Sequence, residues 1–327
     1  MSTSFVVLPR PGAATDDKRL VIAAPKEEDF TAIFGHLLPQ ASYLQTEHGR
    51  AAYYSILPSK LASPNEEVIT RVLFVHGVQT CAIGLQPLAK ALSSRFPHAH
   101  CVLVDLWGHG LTDTPVVPYE PALFHSLIET LLVHLNWENA HFIGYSFGGS
   151  TTATFAVAKP HRVASMVLVA PAGLLRAETF SELVQSYVRG GEGVDEEEAQ
   201  NGIIEWLEDG ELVVPSDWKE RVGRGEMVAQ AVKDWQMKNH RGHAASVVAV
   251  FRDGGALNRH AEFAKAAQLG IKYLCVLGEL DGVCSAGDLA DLGMTNVVVV
   301  PQADHGVVRE RVPEVAEHIE EFWNKLV

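Results

Sequence analysis

The sequence has little of what marks several large classes of protein. Only four of its 327 residues are cysteines, and no two form a Cys-x-x-Cys pair. This argues against a disulfide framework or a cysteine-based zinc site, and it favours buried thiols in a reducing compartment. No stretch approaches 18 consecutive apolar residues, so we expect neither a membrane-spanning helix nor a membrane partner.

Basic charge and targeting signals are also scarce. The net charge of −14 at pH 7 argues against a nucleic-acid partner, because binding phosphates needs a basic surface. The first residues carry only a short apolar run, Phe5 to Leu8, with no basic region before it, which is unlike a secretory signal peptide. We therefore predict a cytoplasmic protein that acts on a small molecule. The sequence does not determine its oligomeric state, and a homodimer is one alternative.

Cofactor and metal motifs are missing from the chain. No G-x-G-x-x-G follows a strand-like run, and there is no P-loop. No His or Cys pair stands at ligand spacing. We therefore predict no cofactor and no metal ion.

What the sequence does contain is a regular alternation of buried strands and helices, which is typical of a mostly parallel sheet with helices on both faces. A β-hairpin is predicted over residues 42–57. Apolar, β-branched runs predict further strands, and apolar positions at helical spacing predict helices. The predicted strands are 68–75, 100–106, 140–145, 163–170, 271–277 and 297–301, and the predicted helices are 85–96, 121–135, 149–158 and 312–327.

The alternation stops between residues 173 and 265, where helical patterns occur without a convincing strand. A helical insertion at this point predicts a cap over the carboxyl edge of the sheet, where ligands bind in open α/β folds. The predicted organisation is an N-terminal extension (1–40), a core (41–172 and 266–327) and a helical cap (173–265). Trp206, Trp218 and Trp235 of the cap could line a pocket or pack inside the cap.

The strongest local signal is the G-x-S-x-G motif from Gly144 to Gly148, which follows an apolar run and precedes a helix of small residues. In a strand–turn–helix context this motif lifts the central serine hydroxyl out of the sheet. The sequence therefore predicts Ser146 as a nucleophile. A phosphate-binding turn is the alternative, but it usually has more glycines or a lysine.

A nucleophilic serine needs a base and an acid, which follow it in the order acid and then histidine. Asp281 and His305 each stand just after a predicted strand, at the edge of the sheet where Ser146 lies. We predict that His305 accepts the serine proton and that Asp281 orients the imidazole. Glu279 and Asp304 remain alternatives for the acid.

Two backbone amides should complete the site as an oxyanion hole. One is the amide after the nucleophile, which is that of Phe147. The other is expected on the loop after an early strand, where His76, Gly77 and Val78 stand, and this predicts Val78. The side chain of His76 is more typical of a structural anchor.

These landmarks together resemble the α/β-hydrolase superfamily, over a match that runs from about residue 42 to the end of the chain and omits the cap. The resemblance implies a serine hydrolase with a twisted, mostly parallel sheet, and a structural turn at residues 105–112. The serine excludes the branches with an aspartate nucleophile. In chain order the landmarks are His76-Gly77, Asp105-x-x-Gly108-x-Gly110-x-Thr112, Gly144-x-Ser146-x-Gly148-Gly149, Gly278-x-x-Asp281 and Asp304-His305-Gly306.

The sequence defines the branch within this superfamily less sharply. The Ser-Phe-Gly-Gly elbow and residues 170–174 resemble C–C bond hydrolases, but Gly306 replaces the bulky residue that often follows their histidine. The elbow also resembles that of thioesterases.

We predict cleavage of a carboxylic ester or lactone of a small apolar molecule. Hydrolysis of a C–C bond in a 1,3-diketone-like substrate and thioester cleavage are alternatives. A small-molecule receptor with a retained triad is an alternative of another class, and a non-catalytic scaffold is disfavoured by the intact triad. Arg176, Arg221 and Arg224 could bind a substrate carboxylate or could be surface charges.

Overall fold

A computed structural model describes residues 5–13, 20–63 and 66–327. Its centre is an eight-stranded sheet in the order β10-β9-β8-β7-β4-β5-β3-β2. β2 pairs antiparallel with β3, and β3 pairs antiparallel with β5. The other five pairings in the sheet are parallel. The strands are β1 (Val21–Ile22), β2 (Ser42–Thr46), β3 (Gly49–Ile56), β4 (Arg71–Val75), β5 (His100–Val104), β6 (Thr114–Pro115), β7 (Ala140–Tyr145), β8 (Val163–Val169), β9 (Lys272–Gly278) and β10 (Val297–Val300).

Helices cover both faces of this sheet and form the insertion between β8 and β9. The helices are α1 (Glu27–Phe34), α2 (Gln86–Arg95), α3 (Pro121–His134), α4 (Phe147–Ala158), α5 (Glu182–Arg189), α6 (Glu196–Glu208), α7 (Trp218–Gly223), α8 (Ala229–Asn239), α9 (His243–Ala249), α10 (His260–Ala267), α11 (Ala286–Ala290), α12 (Val307–Glu310) and α13 (Val312–Trp323). This arrangement confirms the predicted fold class, a mostly parallel sheet with helices on both faces, and it includes a helical insertion where the cap is predicted.

The core consists of two apolar layers, one on each side of the sheet. Along β4, Leu73 and Val75 belong to one layer, whereas Val72 and Phe74 belong to the other. Successive side chains of a strand point to opposite faces, so a strand covered on both sides is apolar throughout. This explains why the central strands were visible in the sequence as continuous apolar runs.

Most predicted elements occur with bounds a few residues shorter. The strand predicted over 68–75 begins at Arg71, and the last helix ends at Trp323 rather than at residue 327. The helix predicted over 149–158 begins earlier, at Phe147, directly after the serine of the motif. Strand and helix ends depend on caps and neighbouring chains, which apolar periodicity does not record.

The N-terminal extension contains structure that the sequence pattern did not reveal. β1 pairs antiparallel with β6, and α1 buries Phe30 and Phe34. Residues 1–4 and 14–19 of the predicted extension lie outside the described residues. The division into extension, core and cap at residues 40, 172 and 265 stays a prediction.

Residues 173–265 contain helices and turns and no strand, and all of them are described. In the described parts of the chain, no helix combines the length and apolarity needed to cross a membrane. Each of the four cysteines is buried with a free thiol.

Candidate active site

The turn between β7 and α4 places Ser146 above the carboxyl edge of the sheet. Ser146 has φ 52° and ψ −119°, a conformation that non-glycine residues seldom adopt. Its amide donates to the Val169 carbonyl at 3.0 Å, and its carbonyl accepts from the Ala172 amide at 2.9 Å. The β8 end therefore holds the strained serine from both sides. Only 6% of Ser146 is exposed.

The motif glycines are needed because this turn presses against a neighbouring strand. A Cβ at position 148 would lie 1.9 Å from the Val75 carbonyl oxygen, and one at position 144 would lie 2.3 Å from the Gly148 carbonyl oxygen. Both distances are far below van der Waals contact, so glycine is required at both positions. The G-x-S-x-G pattern thus has a steric reason in this chain.

Three side chains from separate loops meet at this turn. Ser146 Oγ lies 2.9 Å from His305 Nε2, and His305 Nδ1 lies 3.1 and 3.2 Å from the two carboxylate oxygens of Asp281. The Asp281 side chain is fully buried, whereas a third of the His305 side chain is exposed. A carboxylate can only accept, so Nδ1 carries the proton and Nε2 is free to accept the serine hydroxyl. This is the arrangement of a nucleophile, base and orienting acid.

The two alternative acids are occupied elsewhere. A Glu279 carboxylate oxygen accepts from the Gln302 amide at 2.9 Å, and an Asp304 carboxylate oxygen accepts from the Gly306 amide at 2.6 Å. Asp281 also accepts from the Val283 amide at 2.9 Å, which steadies it under the imidazole. The structure thus brings Asp281, and neither alternative, to His305 Nδ1.

The loop after β4 passes beside the serine. A Cβ at Gly77 would lie 2.8 Å from Ser146 Cβ, so only glycine permits this approach. Among the described residues, no backbone carbonyl accepts a hydrogen bond from the Val78 amide. The Phe147 amide is the first of α4 and has no partner within the helix. Both amides lie on segments that line the cavity above Ser146, and their role as oxyanion donors stays a prediction.

Two buried polar side chains anchor the loops around the site. His76 Nδ1 donates to the Gly77 carbonyl at 2.6 Å, and its Nε2 accepts from the Leu106 amide at 2.9 Å. Burial lowers the pKa of His76 to about 4, which keeps it neutral near pH 7. Asp105 accepts from the Ala82 and Leu111 amides at 2.8 and 3.0 Å, and burial raises its pKa to about 6.

A cavity of about 580 Å³ lies between the sheet edge and the cap, with Ser146 and His305 in its wall. Of the three cap tryptophans, only Trp206 lines it. Arg176, Arg221 and Arg224 are not among its lining residues. Its apolar lining consists of Val78, Phe147, Ala172, Leu175, Trp206, Leu207, Phe251, Ala256, Leu280 and Val283.

Sequence reasoning missed the charged residues of this wall. Lys233 of α8 pairs with Glu208 of α6 at 2.8 Å, and both side chains are largely buried. The Arg309 guanidinium lies 5.2 Å from the centre of the Tyr145 ring. None of these belongs to a motif, and the position of Arg309 four residues after His305 is the one signal that could have singled it out.

Comparison with known proteins agrees with the observed fold. Residues 70–206 match a family model described as the alpha/beta hydrolase fold. A curated relative, 2-(acetamidomethylene)succinate hydrolase from Mesorhizobium japonicum, is 34% identical over 98 residues, which are 30% of this chain and 34% of that protein. The chain spans about a third or less of the length of the first curated relatives it matches.

Solved structures resemble the chain over most of its length. An enol-lactonase from Burkholderia xenovorans has a TM-score of 0.60 and 16% identity, covering 86% of this chain and 100% of that one. A meta-cleavage product hydrolase from Pseudomonas fluorescens has a TM-score of 0.61 and 17% identity, covering 89% and 99%. At such identities the likeness shows the fold alone.

Proposed function

Because residues 70–206 match a family model of the alpha/beta hydrolase fold, we propose that this chain is a serine hydrolase that cleaves a carboxylic ester or lactone. The observation that carries the proposal is the alignment of Ser146, His305 and Asp281 within 2.9 to 3.2 Å. Ser146 attacks the carbonyl carbon while His305 takes its proton, and an acyl-enzyme forms as His305 returns that proton to the departing alcohol oxygen. His305 then activates the water that releases the acid.

The proposed substrate is small, rather apolar and without a carboxylate. Ten apolar residues from both sheet edge and cap line the cavity, and Trp206 and Phe251 stack edge to face with ring centres 5.6 Å apart. The lining also holds five aspartate and glutamate residues but only one lysine, Lys233, and one arginine, Arg309. A substrate carboxylate would therefore meet repulsion, whereas a neutral ester or lactone would not.

Hydrolysis of a C–C bond is a second proposal, since the Ser-Phe-Gly-Gly elbow resembles that branch and one structural neighbour is named a meta-cleavage product hydrolase. The same triad would serve both reactions. The products separate the proposals: an acid with an alcohol supports ester cleavage, an acid with a ketone supports C–C cleavage, and an acid with a thiol supports thioester cleavage.

The proposed setting is a reducing, cytoplasmic one, which the free and buried state of the four cysteines supports. The proposed partner is a small-molecule substrate rather than nucleic acid, in keeping with the net charge of −14.

The test is labelling of the purified chain with a fluorophosphonate, which reacts with activated serines. We expect wild type to be labelled to one equivalent, Ser146→Ala to be unlabelled and His305→Ala to react much more slowly. Ser150→Ala is the matched control, because Ser150 stands on the same helix but donates its hydroxyl to the Gly255 carbonyl. Folded wild type that resists labelling would reject catalysis and favour a receptor with a retained triad.

A further inference from the structure

A cap glutamine reaches into the core beside the site. Gln236 lies on the inner face of α8 and is fully buried. Its Nε2 donates to the Gln79 carbonyl at 2.6 Å, and its Oε1 accepts from the Gly110 amide at 2.6 Å. Reversing the amide would place oxygen against oxygen and N–H against N–H, so its orientation is determined by chemistry.

The residue that Gln236 holds belongs to the loop that carries Val78. Gln79 has φ 64°, a left-handed conformation that glutamine does not favour. Its amide donates to His109 Nε2 at 3.3 Å, while His109 Nδ1 bonds the Trp107 carbonyl at 3.0 Å. Gln79 is therefore held at its amide by the core and at its carbonyl by the cap. Such a strained backbone persists only where its surroundings hold it.

No other cap side chain hydrogen-bonds residues 76–80 in the described parts of the chain. Gln236 is thus the polar link between the cap and this loop. The Gln79 carbonyl that Gln236 holds and the Val78 amide lie in peptide units separated by one other, the unit between Val78 and Gln79. A shift of Gln79 therefore displaces the segment that carries the Val78 amide. Oxyanion stabilisation depends on donors that are already placed before the reaction begins.

We propose that Gln236 is a positioning residue through which the docked cap holds the Val78 amide in place for the oxyanion. The proposal rests on the proposed serine hydrolase function. It makes the cap a part of the catalytic machinery, because the oxyanion hole is complete only when α8 is seated on the core. Gln236 itself does not touch the reacting atoms.

The test uses p-nitrophenyl butyrate as the substrate and compares wild type with Gln236→Met and Gln236→Leu. Methionine keeps the length of the side chain and removes both hydrogen bonds. Leucine also removes both hydrogen bonds and has a different shape. We expect kcat to fall by about 100-fold in both variants, with KM nearly unchanged, since the lost interaction acts in the transition state.

The matched control is Gln185→Met. Gln185 is another cap glutamine that donates to backbone carbonyls, those of Glu178 and Phe180, but both partners lie within the cap. It should keep the wild-type kcat. A purely structural role for Gln236 would lower the melting temperature and leave kcat per folded molecule unchanged, and that result would overturn the proposal.

The two proposals fail in distinguishable ways. If wild type is neither labelled by the fluorophosphonate nor active, the serine hydrolase proposal fails. If wild type is labelled and active, and either folded Gln236 variant keeps the wild-type kcat and labelling rate, the positioning proposal alone fails. If Gln236→Met does not fold, Gln236→Leu provides the same test.

Discussion

The two walls of the cavity are built by different rules. On the core side, Ser146, Asp281 and His305 each follow a strand of one parallel sheet, and backbone ladders determine where those strands end. On the cap side, Trp206 and Lys233 lie on helices that contain no recognisable sequence motif. A ladder sets position residue by residue, whereas a helix is placed only by what its faces pack against. The sequence therefore predicts the residues of the core wall but not those of the cap wall.

The cap is held from behind by the N-terminal extension. The rings of Phe30 and Phe34 of α1 lie 5.1 and 6.2 Å from that of Trp235, and Phe34 also approaches Trp218 at 6.4 Å. Arg10 bonds the Asp253 carboxylate with its Nη2 at 3.0 Å, tying a second part of the extension to the cap side. Two of the cap tryptophans thus serve this packing rather than the cavity.

The largest expected effect concerns the core wall. Asp281→Asn should lower kcat by about 10⁴-fold, because an amide would favour the wrong tautomer of His305. Glu279→Gln is the matched control, since Glu279 bonds the Gln302 amide rather than His305, and it should keep a kcat near wild type. Steady-state kinetics on p-nitrophenyl butyrate checks both. The reverse order of effects would make Glu279 the acid and break the geometric assignment.

The next effect concerns the contact between extension and cap. Phe34→Ala should lower the free energy of unfolding by about 3–5 kcal/mol, because it leaves a cavity beside Trp218 and Trp235. Urea unfolding measures this loss. Ile33→Ala on the same helix removes a side chain that is 41% exposed and should change stability far less. Equal losses in the two variants would show that α1 does not support the cap.

The smallest effect concerns the junction between the walls, where His109 and His243 pack with ring centres 4.8 Å apart. Burial lowers the pKa of His243 to about 3. As the pH falls from about 6.5, the unfolded chain binds a proton at this residue and the folded chain does not, so stability falls. Each such histidine contributes a slope of ~1.4 kcal/mol per pH unit. Asp105, with its pKa raised to about 6, works in the opposite direction below that pH.

His243→Asn should therefore flatten the dependence of unfolding free energy on pH between about 6.5 and 4 by that slope. Urea titrations at several pH values measure it. His161→Asn is the control, because His161 is exposed when folded. An unchanged slope in His243→Asn would mean that His243 is protonated within the folded junction.

The sequence predicted correctly those strands that are marked by a continuous apolar run. The apolar runs predicted β4, β5, β7, β8, β9 and β10 within a few residues. The central strands among them are apolar because they are covered on both faces. The same reasoning missed β1 and α1, since β1 has only two residues and α1 buries just two of its eight. Short elements leave too little periodicity to detect.

The sequence by itself determined the fold class, the order of Ser146, Asp281 and His305, and the glycines that the serine turn requires. These follow from a local strand–turn–helix pattern and from the order in which successive strands reach one edge of the sheet. Only the tertiary structure decided that Asp281 rather than Glu279 faces His305, that Trp206 alone of the cap tryptophans reaches the cavity, and that Gln236 joins cap to core. Those depend on which surfaces pack together, and distant contacts of that kind leave no fixed spacing in a single sequence.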